Sequence, residues 1–236
     1  MRSEMLRVGL IVPSSNTVME PDLHQALGDS CAISTSRTML EETTREAETR
    51  MLREELPRSI KLIATTDPHV TVFGCTSAGS LGGVAHDMEI AEHIERETGG
   101  KGITVIASVL AQLQKLQIRR LAVFTPYVNE LTESVAGCLS SRDYELVKVT
   151  GMGILKNRDI GAVTPREIEQ FVALHMEGVE ADCIFLSCTN WQAIGAIAPM
   201  CERYSIPVIS SNQATIDTVR DFVAEGAGIT IKSSEM

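Results

Sequence analysis

Residues 70–83 read VTVFGCTSAGSLGG, and the organisation of the whole chain can be worked out from this stretch. Its β-branched and aromatic start predicts a buried strand, and Gly74 permits a sharp turn. The threonine and serine after Cys75 are residue types that favour the first positions of a helix. Cys75 is therefore expected where a strand passes into a helix, beside free backbone N–H groups and the positive end of a helix dipole. Such a position lowers the pKa of a thiol and favours the thiolate.

A second stretch, residues 182–191, reads DCIFLSCTNW and repeats the order of an apolar run, a cysteine and two polar residues. Its cysteine, Cys188, follows Cys75 by 113 residues (188 − 75). The same interval separates Pro13 from Pro126, in the related stretches GLIVPSSN and AVFTPYVN. A repeat at a fixed interval indicates an internal duplication. A two-fold arrangement of the two halves would bring the thiols face to face across a shared cleft.

Apolar runs typical of strands alternate with amphipathic helical segments through both halves of the chain. This alternation predicts parallel α/β sheets, with ligands at the carboxyl ends of the strands. We therefore expect an α/β fold of two pseudo-symmetric subdomains. Each would be a parallel four-stranded sheet flanked by helices, with the active site in the cleft between them. The first would comprise residues 1–107 plus 212–236 and carry Cys75, and the second would comprise residues 108–211 and carry Cys188.

The composition limits the class of partner. The 236 residues are 44% hydrophobic and 22% charged, which is ordinary for a globular protein with a sizeable core. The formal net charge of −10 argues against nucleic acid and anionic membranes as partners, and no apolar run is long enough to span a bilayer. A small dicarboxylate substrate would have to be held by local hydrogen-bond donors rather than by a basic surface.

The six cysteines do not form a disulfide framework in a chain of this length, and no CxxC or His/Cys metal spacing occurs. The first residues predict a strand rather than a signal peptide, so a reduced, cytoplasmic location is expected. No flavin, nicotinamide or Schiff-base motif is present, which predicts a reaction without cofactor or metal. The cysteines other than 75 and 188 lie within strand or helix patterns and are expected to be packing residues.

Two opposed thiols support two kinds of reaction. One thiolate can remove an acidic proton next to a carboxylate while the other thiol returns a proton to the opposite face, which is racemisation. Alternatively, one thiolate can add to an activated double bond while the other thiol protonates the neighbouring carbon, and reversal after rotation gives cis–trans isomerisation. Both reactions need donors for the developing charge, for which Thr76, Ser77, Thr189 and Asn190 are placed. A small-carboxylate binding protein with an inert cleft is the alternative from another functional class.

Other polar residues accompany these motifs. Asn16 and its repeat equivalent Asn129 could each simply cap a helix, but Asn16 follows two serines in a tight turn and is the better candidate for ligand contact. Ser14 has Tyr127 as its counterpart, which suggests that the two halves treat the two ends of a ligand differently. Asn157 lies in a polar loop flanked by glycines, GILKNRDIG.

Five stretches together carry a family resemblance: GLIVPSSNTVMEPD, FGCTSAG, FTPY, GILKNRDIG and LSCTNW. They resemble the aspartate/glutamate racemase superfamily and, within it, the maleate cis–trans isomerases, whose nearer relatives include the arylmalonate decarboxylases. The resemblance implies cofactor-independent isomerisation of maleate to fumarate through a succinyl-cysteine intermediate. A racemase of aspartate, glutamate or a hydantoin, and a relative linked to ectoine utilisation, remain alternatives. The decarboxylase branch keeps only the second cysteine, so Cys75 counts against that activity.

The resemblance also implies roles for individual residues. Cys75 would be the nucleophile, and Cys188 would be its acid/base partner. The substrate-binding residues would be Ser14, Asn16, Thr76, Ser77, Tyr127, Asn157, Thr189 and Asn190. Because Cys188 lies close to the bulky Trp191, we expect a drier setting that raises its pKa and keeps it protonated. Loops 39–44 and 155–164 are expected to act as flaps over the cleft, and the protein is expected to be a homo-oligomer, either a dimer or a tetramer.

Overall fold

The computed structural model describes residues 5–142 and 144–226. Within these ranges the strands are β1 (Leu6–Pro13), β2 (Cys31–Thr38), β3 (Val70–Phe73), β4 (Lys101–Thr104), β5 (Arg120–Thr125), β6 (Glu145–Gly151), β7 (Cys183–Leu186) and β8 (Val208–Ser210). The helices are α1 (Met19–Leu27), α2 (Arg45–Arg50), α3 (Leu56–Ala64), α4 (Thr76–Ser80), α5 (Gly83–Thr98), α6 (Val105–Lys115), α7 (Asn129–Ser140), α8 (Asn157–Gly161), α9 (Pro165–His175), α10 (Ile194–Tyr204) and α11 (Ser211–Gly226). A π-helical turn, Met51–Glu55, joins α2 to α3.

The strands form two four-stranded sheets, in the orders β2-β1-β3-β4 and β6-β5-β7-β8. Every strand pairing in both sheets is parallel. The second order is the first order repeated with the next four strands, as an internal duplication requires. The predicted α/β fold, with one parallel four-stranded sheet in each half, is confirmed.

The central strands explain where the site lies. β3 and β7 are buried along their whole length and β1 nearly so, because helices cover both faces of each sheet, and this accounts for their continuous apolar runs. One hydrophobic cluster contains side chains from both sheets and joins the two halves. A smaller cluster beneath α2 and α3 includes Ile11, Phe73 and Cys75. The turns that follow β1, β3, β5 and β7 meet above these clusters, at the carboxyl ends of the strands.

Two elements differ from the sequence prediction. The apolar pattern over residues 103–107 predicts a strand, but β4 ends at Thr104 and α6 begins at Val105. The strand stops there because β4 pairs with β3 only over Lys101–Thr104. The segment around Asn157, predicted as a loop, contains the one-turn helix α8.

Helix α11 follows the last strand of the second sheet but packs against α1, in the first half, and against α6, which begins directly after the last strand of the first sheet. The Asn212 amide donates to the Asp22 carboxylate at 2.7 Å, and the Arg220 guanidinium donates to the Ala26 carbonyl at 2.7 Å. These contacts support the division of the chain into residues 1–107 plus 212–236 and residues 108–211, which stays a prediction. Residues 227–236 lie outside the described ranges.

Across residues 5–142 and 144–226, no helix combines the length and the apolar character that a membrane span requires. The same part of the chain contains no group of three or more His, Cys, Asp or Glu side chains arranged to hold a metal ion.

Candidate active site

A small cavity lies where the carboxyl ends of β1, β3, β5 and β7 meet. Its volume is about 10 Å³, which is room for about one water molecule. The lining residues are Pro13, Asn16, Leu40, Thr43, Glu48, Cys75, Ser77, Tyr127, Asn157, Cys188 and Thr189. The fold therefore brings Cys75 and Cys188, one from each half, to the same cavity. Of the predicted site residues, all except Ser14, Thr76 and Asn190 line it.

Cys75 is the N-cap residue of α4, and only Gly74 separates it from the end of β3. Its side chain is 5% exposed, and burial raises the pKa of the thiol well above its ordinary value. The negative charge of Glu48 acts in the same direction, whereas the Ala78 N–H lowers the pKa by less than burial raises it. The predicted lowering of the Cys75 pKa is wrong, because α4 has only five residues and the site is dry.

Cys188 lies in a turn after β7, and α10 begins only beyond Trp191. The repeat of the Cys75 pattern predicts that Thr189 and Asn190 start a helix beside this thiol, and this prediction is wrong. In the described part of the chain, three donors act on Cys188 Sγ: the Tyr127 hydroxyl, the Asn190 N–H, at 3.3 Å, and the Trp191 N–H. Burial nevertheless raises the pKa of Cys188 to about 12, so this thiol keeps its proton, as predicted.

Tyr127 brings a hydroxyl into the cavity from the turn after β5. Its side chain is almost completely buried, so it is not an aromatic residue at the rim of the cleft. Burial raises the pKa of the hydroxyl well above its ordinary value, and the neighbouring thiols Cys188 and Cys75 add to the effect. Tyr127 therefore stays protonated and can donate to Cys188 Sγ.

Glu48 is the lining residue that sequence reasoning missed. Its side chain is fully buried and its Oε1 accepts a hydrogen bond from the Ser77 hydroxyl, while its Oε2 has no hydrogen-bond partner among the described residues. Burial raises its pKa to about 8, although the Ser77 hydrogen bond and the charge of Arg45 lower it. Glu48 precedes Met51 by three positions and shares its buried helix face. A single acidic residue on an otherwise apolar face was the signal that could have found it.

Asn16 serves two purposes at the end of β1. Its Oδ1 accepts from the backbone N–H groups of Val18 and Met19, at 3.0 and 3.1 Å, which ties the residue to the start of α1. Its Nδ2 donates to Thr189 Oγ1 at 3.0 Å, and that hydroxyl donates to the Gly74 carbonyl at 3.0 Å. The three turns after β1, β3 and β7 are thus fixed to one another around the cavity.

Asn157 and Asn190 are both predicted to bind substrate, but of the two only Asn157 lines the cavity. The Asn157 side chain lines the cavity, and its Nδ2 donates to Ser15 Oγ at 2.8 Å. The Asn190 side chain points elsewhere, accepting from the Thr17 N–H at 2.9 Å and donating to the Asn157 carbonyl at 2.7 Å. Asn190 therefore positions Asn157, and its backbone N–H reaches Cys188 Sγ.

Ser14 and Thr76 are also turned away from the cavity. The Ser14 hydroxyl accepts from the Leu40 N–H at 3.1 Å and so anchors the loop after β2. The Thr76 hydroxyl donates to Ser211 Oγ at 2.9 Å and so links α4 to α11. Neither Thr76 nor Ser77 caps α4 with its side chain, contrary to the prediction. The structure places Ser14 and Thr76 as supports of the lining segments.

The two loops predicted as flaps are joined to each other over the cavity. Thr43 N–H donates to the Leu155 carbonyl at 2.8 Å, and Asn157 N–H donates to the Glu41 carbonyl at 2.9 Å. Glu42 and Lys156 form an antiparallel bridge between these bonds. Because the cavity beneath holds about one water molecule, we expect this bridge to open before a small carboxylate enters.

Locking the two loops together is therefore expected to shield the thiols. Partners in an antiparallel bridge have Cα atoms about 4.5 to 5.5 Å apart, which a disulfide can span. In a Glu42→Cys, Lys156→Cys variant, oxidation should slow the alkylation of Cys75 by at least about tenfold, and reduction should restore it. Peptide mass spectrometry measures the rate, with a Glu42→Ser, Lys156→Ser variant as the matched control. Equal rates in the oxidised and reduced forms would show that access does not require the loops to part.

Known proteins share the sequence pattern and the fold of this chain. A sequence model described as arylmalonate decarboxylase matches residues 8–229. Maleate isomerase of Nocardia farcinica is 27% identical over 218 residues, which cover 88% of this chain and 86% of that protein. The crystal structure of the maleate isomerase Iso from Pseudomonas putida S16 superposes with a TM-score of 0.87 at 24% identity, covering 98% of this chain and 99% of that one.

A mutant of the Nocardia farcinica maleate cis-trans isomerase, solved with a covalently bound succinylcysteine intermediate, gives a TM-score of 0.85 at 19% identity. The superposition covers 96% of this chain and 97% of that chain. These structures have the same fold as this protein, and the family match extends over both sheets and every residue that lines the cavity. The chain belongs to the arylmalonate decarboxylase family.

Proposed function

We propose that this protein isomerises maleate to fumarate, with Cys75 as the nucleophile and Cys188 as the acid/base residue. The observation that carries the proposal is that both thiols, one from each half of the chain, line the same closed cavity. The relative from Nocardia farcinica with which the chain shares 27% identity is named maleate isomerase. The succinylcysteine in a structure of that isomerase supports a covalent route.

The reaction would proceed by addition and reversal. The sulfur of Cys75 forms a bond to one alkene carbon, and the electron pair of the double bond moves to the neighbouring carbon and its carboxylate. The Cys188 thiol then protonates that carbon, which leaves a single bond about which the adduct can rotate. Removal of the same proton by the Cys188 thiolate expels the Cys75 sulfur and forms the trans alkene.

Neutral donors would hold the substrate carboxylates, because no lysine, arginine or histidine is among the lining residues. The amides of Asn16 and Asn157 each use one hydrogen within the protein, on Thr189 and Ser15 respectively. The second hydrogen of each amide remains for a ligand. Asn16 and Asn157 lie on different halves of the chain, which suits a substrate with a carboxylate at each end.

Proton NMR of maleate incubated with the purified protein and no additive tests the proposal. Growth of the fumarate signal at the expense of the maleate signal is the expected result. Untouched maleate together with deuterium exchange at the α-carbon of aspartate, glutamate or a hydantoin would assign the protein to the racemases. Loss of carbon dioxide from an arylmalonate with maleate untouched would assign it to the decarboxylases.

Asn157→Ala is expected to reduce kcat/KM for maleate by an amount equivalent to about 1–3 kcal/mol, the usual cost of leaving a buried partner without its hydrogen bond. Arg158→Ala is the matched control, because the neighbouring Arg158 is exposed and pairs with the adjacent Asp159, at 3.2 Å. Steady-state kinetics of both variants provide the measurement. A larger loss in Arg158→Ala than in Asn157→Ala would place the carboxylate site at the arginine.

A further inference from the structure

Three buried side chains form a line from one thiol into the protein. Cys75 Sγ lies 3.9 Å from Ser77 Oγ, and the Ser77 hydroxyl donates to Glu48 Oε1. The single hydrogen of the Ser77 hydroxyl is used by Glu48, so in the contact with Cys75 the thiol must be the donor. The hydrogen bonds thus run in one direction, from Cys75 through Ser77 to Glu48.

The reaction requires an acceptor for the Cys75 proton. Burial keeps this thiol protonated, whereas its sulfur adds to a double bond only as it loses its proton. The other lining side chains include no second carboxylate, and Cys188 must retain its own proton to act as the acid. We propose that Glu48 accepts the proton of Cys75 and that the Ser77 hydroxyl relays it between them. The proposal rests on the proposed function only in taking Cys75 as the nucleophile.

The transfer balances without any further reactant. As the sulfur forms its bond to carbon, the S–H proton passes to Ser77 Oγ and the Ser77 hydroxyl proton passes to Glu48 Oε1. Glu48 becomes a neutral acid, and the negative charge it carried appears on the adduct. When the carbon–sulfur bond breaks, the two protons return along the same line, so Glu48 is restored in each cycle.

The groups around Glu48 set the pH at which it can act. Arg45, on the same helix, lowers its pKa, and Glu130, on α7, raises it. Cys75 and Cys188 face it across the cavity and stay neutral because burial raises the pKa of both thiols. The result is a pKa of about 8, close to neutral pH, which suits a general base.

Alkylation of Cys75 by iodoacetamide tests the relay without any substrate. The rate at Cys75, followed by peptide mass spectrometry, should rise about tenfold between pH 7 and pH 9 around a midpoint near 8, where Glu48 ionises. Glu48→Gln should remove this midpoint and lower the rate at pH 8 by about 10- to 100-fold. Glu46→Gln, an exposed position on the same helix, is the matched control and should leave the profile unchanged.

Ser77→Ala is a second test of the relay, because it removes the hydroxyl between Cys75 and Glu48 and leaves Glu48 in place. It should lower the rate as much as Glu48→Gln does, and the double variant should lose nothing more, since the two residues act as a unit. Alkylation of Glu48→Gln at the wild-type rate or faster would overturn the proposal, because Glu48 would then act on Cys75 only by charge repulsion. The protein could also show a pH profile of Cys75 alkylation that depends on Glu48 and yet leave maleate unchanged. That result would support the relay and reject only maleate as the substrate.

Discussion

Replacement of Cys75 by serine is expected to abolish the conversion of maleate to fumarate, with a loss in kcat of at least about 10⁴-fold. The serine hydroxyl is far less acidic than a thiol, and neither the Ser77 hydroxyl nor Glu48 can withdraw its proton to a useful extent. No adduct with maleate should form at position 75. The rate of fumarate formation is followed by proton NMR, and the intact mass of the protein reports the adduct.

The matched control is Cys201→Ser, which changes a half-buried cysteine on α10 outside the cavity and should leave the rate unchanged. Turnover by Cys75→Ser within about tenfold of the wild-type rate would contradict the assignment of Cys75 as the nucleophile. Equal inactivation of both variants would point to a general effect of removing a cysteine rather than to the chemistry of Cys75.

Replacement of Cys188 by serine is expected to reduce turnover by about 10²- to 10⁴-fold, the range typical of losing a positioned acid or base. The Cys75 sulfur can still add to maleate, and solvent slowly supplies the proton that the neighbouring carbon takes up, so the variant should accumulate a covalent adduct. The serine cannot remove the proton that restores the double bond, because its hydroxyl is a much weaker acid and its alkoxide is not formed. Mass spectrometry of the digested protein should find the added mass on the peptide that contains Cys75.

An adduct found on Cys188 in the Cys75→Ser variant, with none on Cys75 in the Cys188→Ser variant, would reverse the two roles. The surroundings of the two thiols favour Cys75 as the nucleophile. Cys75 has an acceptor for its proton in Ser77 and Glu48, whereas the neighbours of Cys188 are donors, the Tyr127 hydroxyl and the Asn190 N–H. Donors hold a thiol in place as an acid, and an acceptor prepares a thiol for attack.

The fold and the pair of cysteines could be predicted from the sequence because both depend on local signals. Apolar runs of four to eight residues mark strands, and the interval between Cys75 and Cys188 marks the duplication. Parallel strands then fix where these cysteines meet, whatever the details of the intervening helices.

The remaining features depend on contacts between distant parts of the chain. Ser14 and Thr76 look like ligand contacts in sequence, but Leu40 and Ser211 take up their hydroxyls. The raised pKa of Cys75 follows from burial, which a strand-to-helix pattern does not report. Glu48 looks like one of many acidic residues on a surface helix until α2 is seen to close the cavity.

The burial of Glu48 also affects how the free energy of unfolding varies with pH. In the unfolded chain its carboxyl ionises near 4.5, whereas in the folded protein the pKa is about 8, so the folded state binds a proton more tightly. The stabilisation from this proton is complete below about pH 4.5 and is lost as the pH rises through 8, at up to about 1.4 kcal/mol per pH unit within that window. Ionised Glu48 is the form that activates Cys75. The conditions under which the thiol reacts fastest are therefore those under which this residue stabilises the fold least, and activity and thermodynamic stability respond to pH in opposite directions.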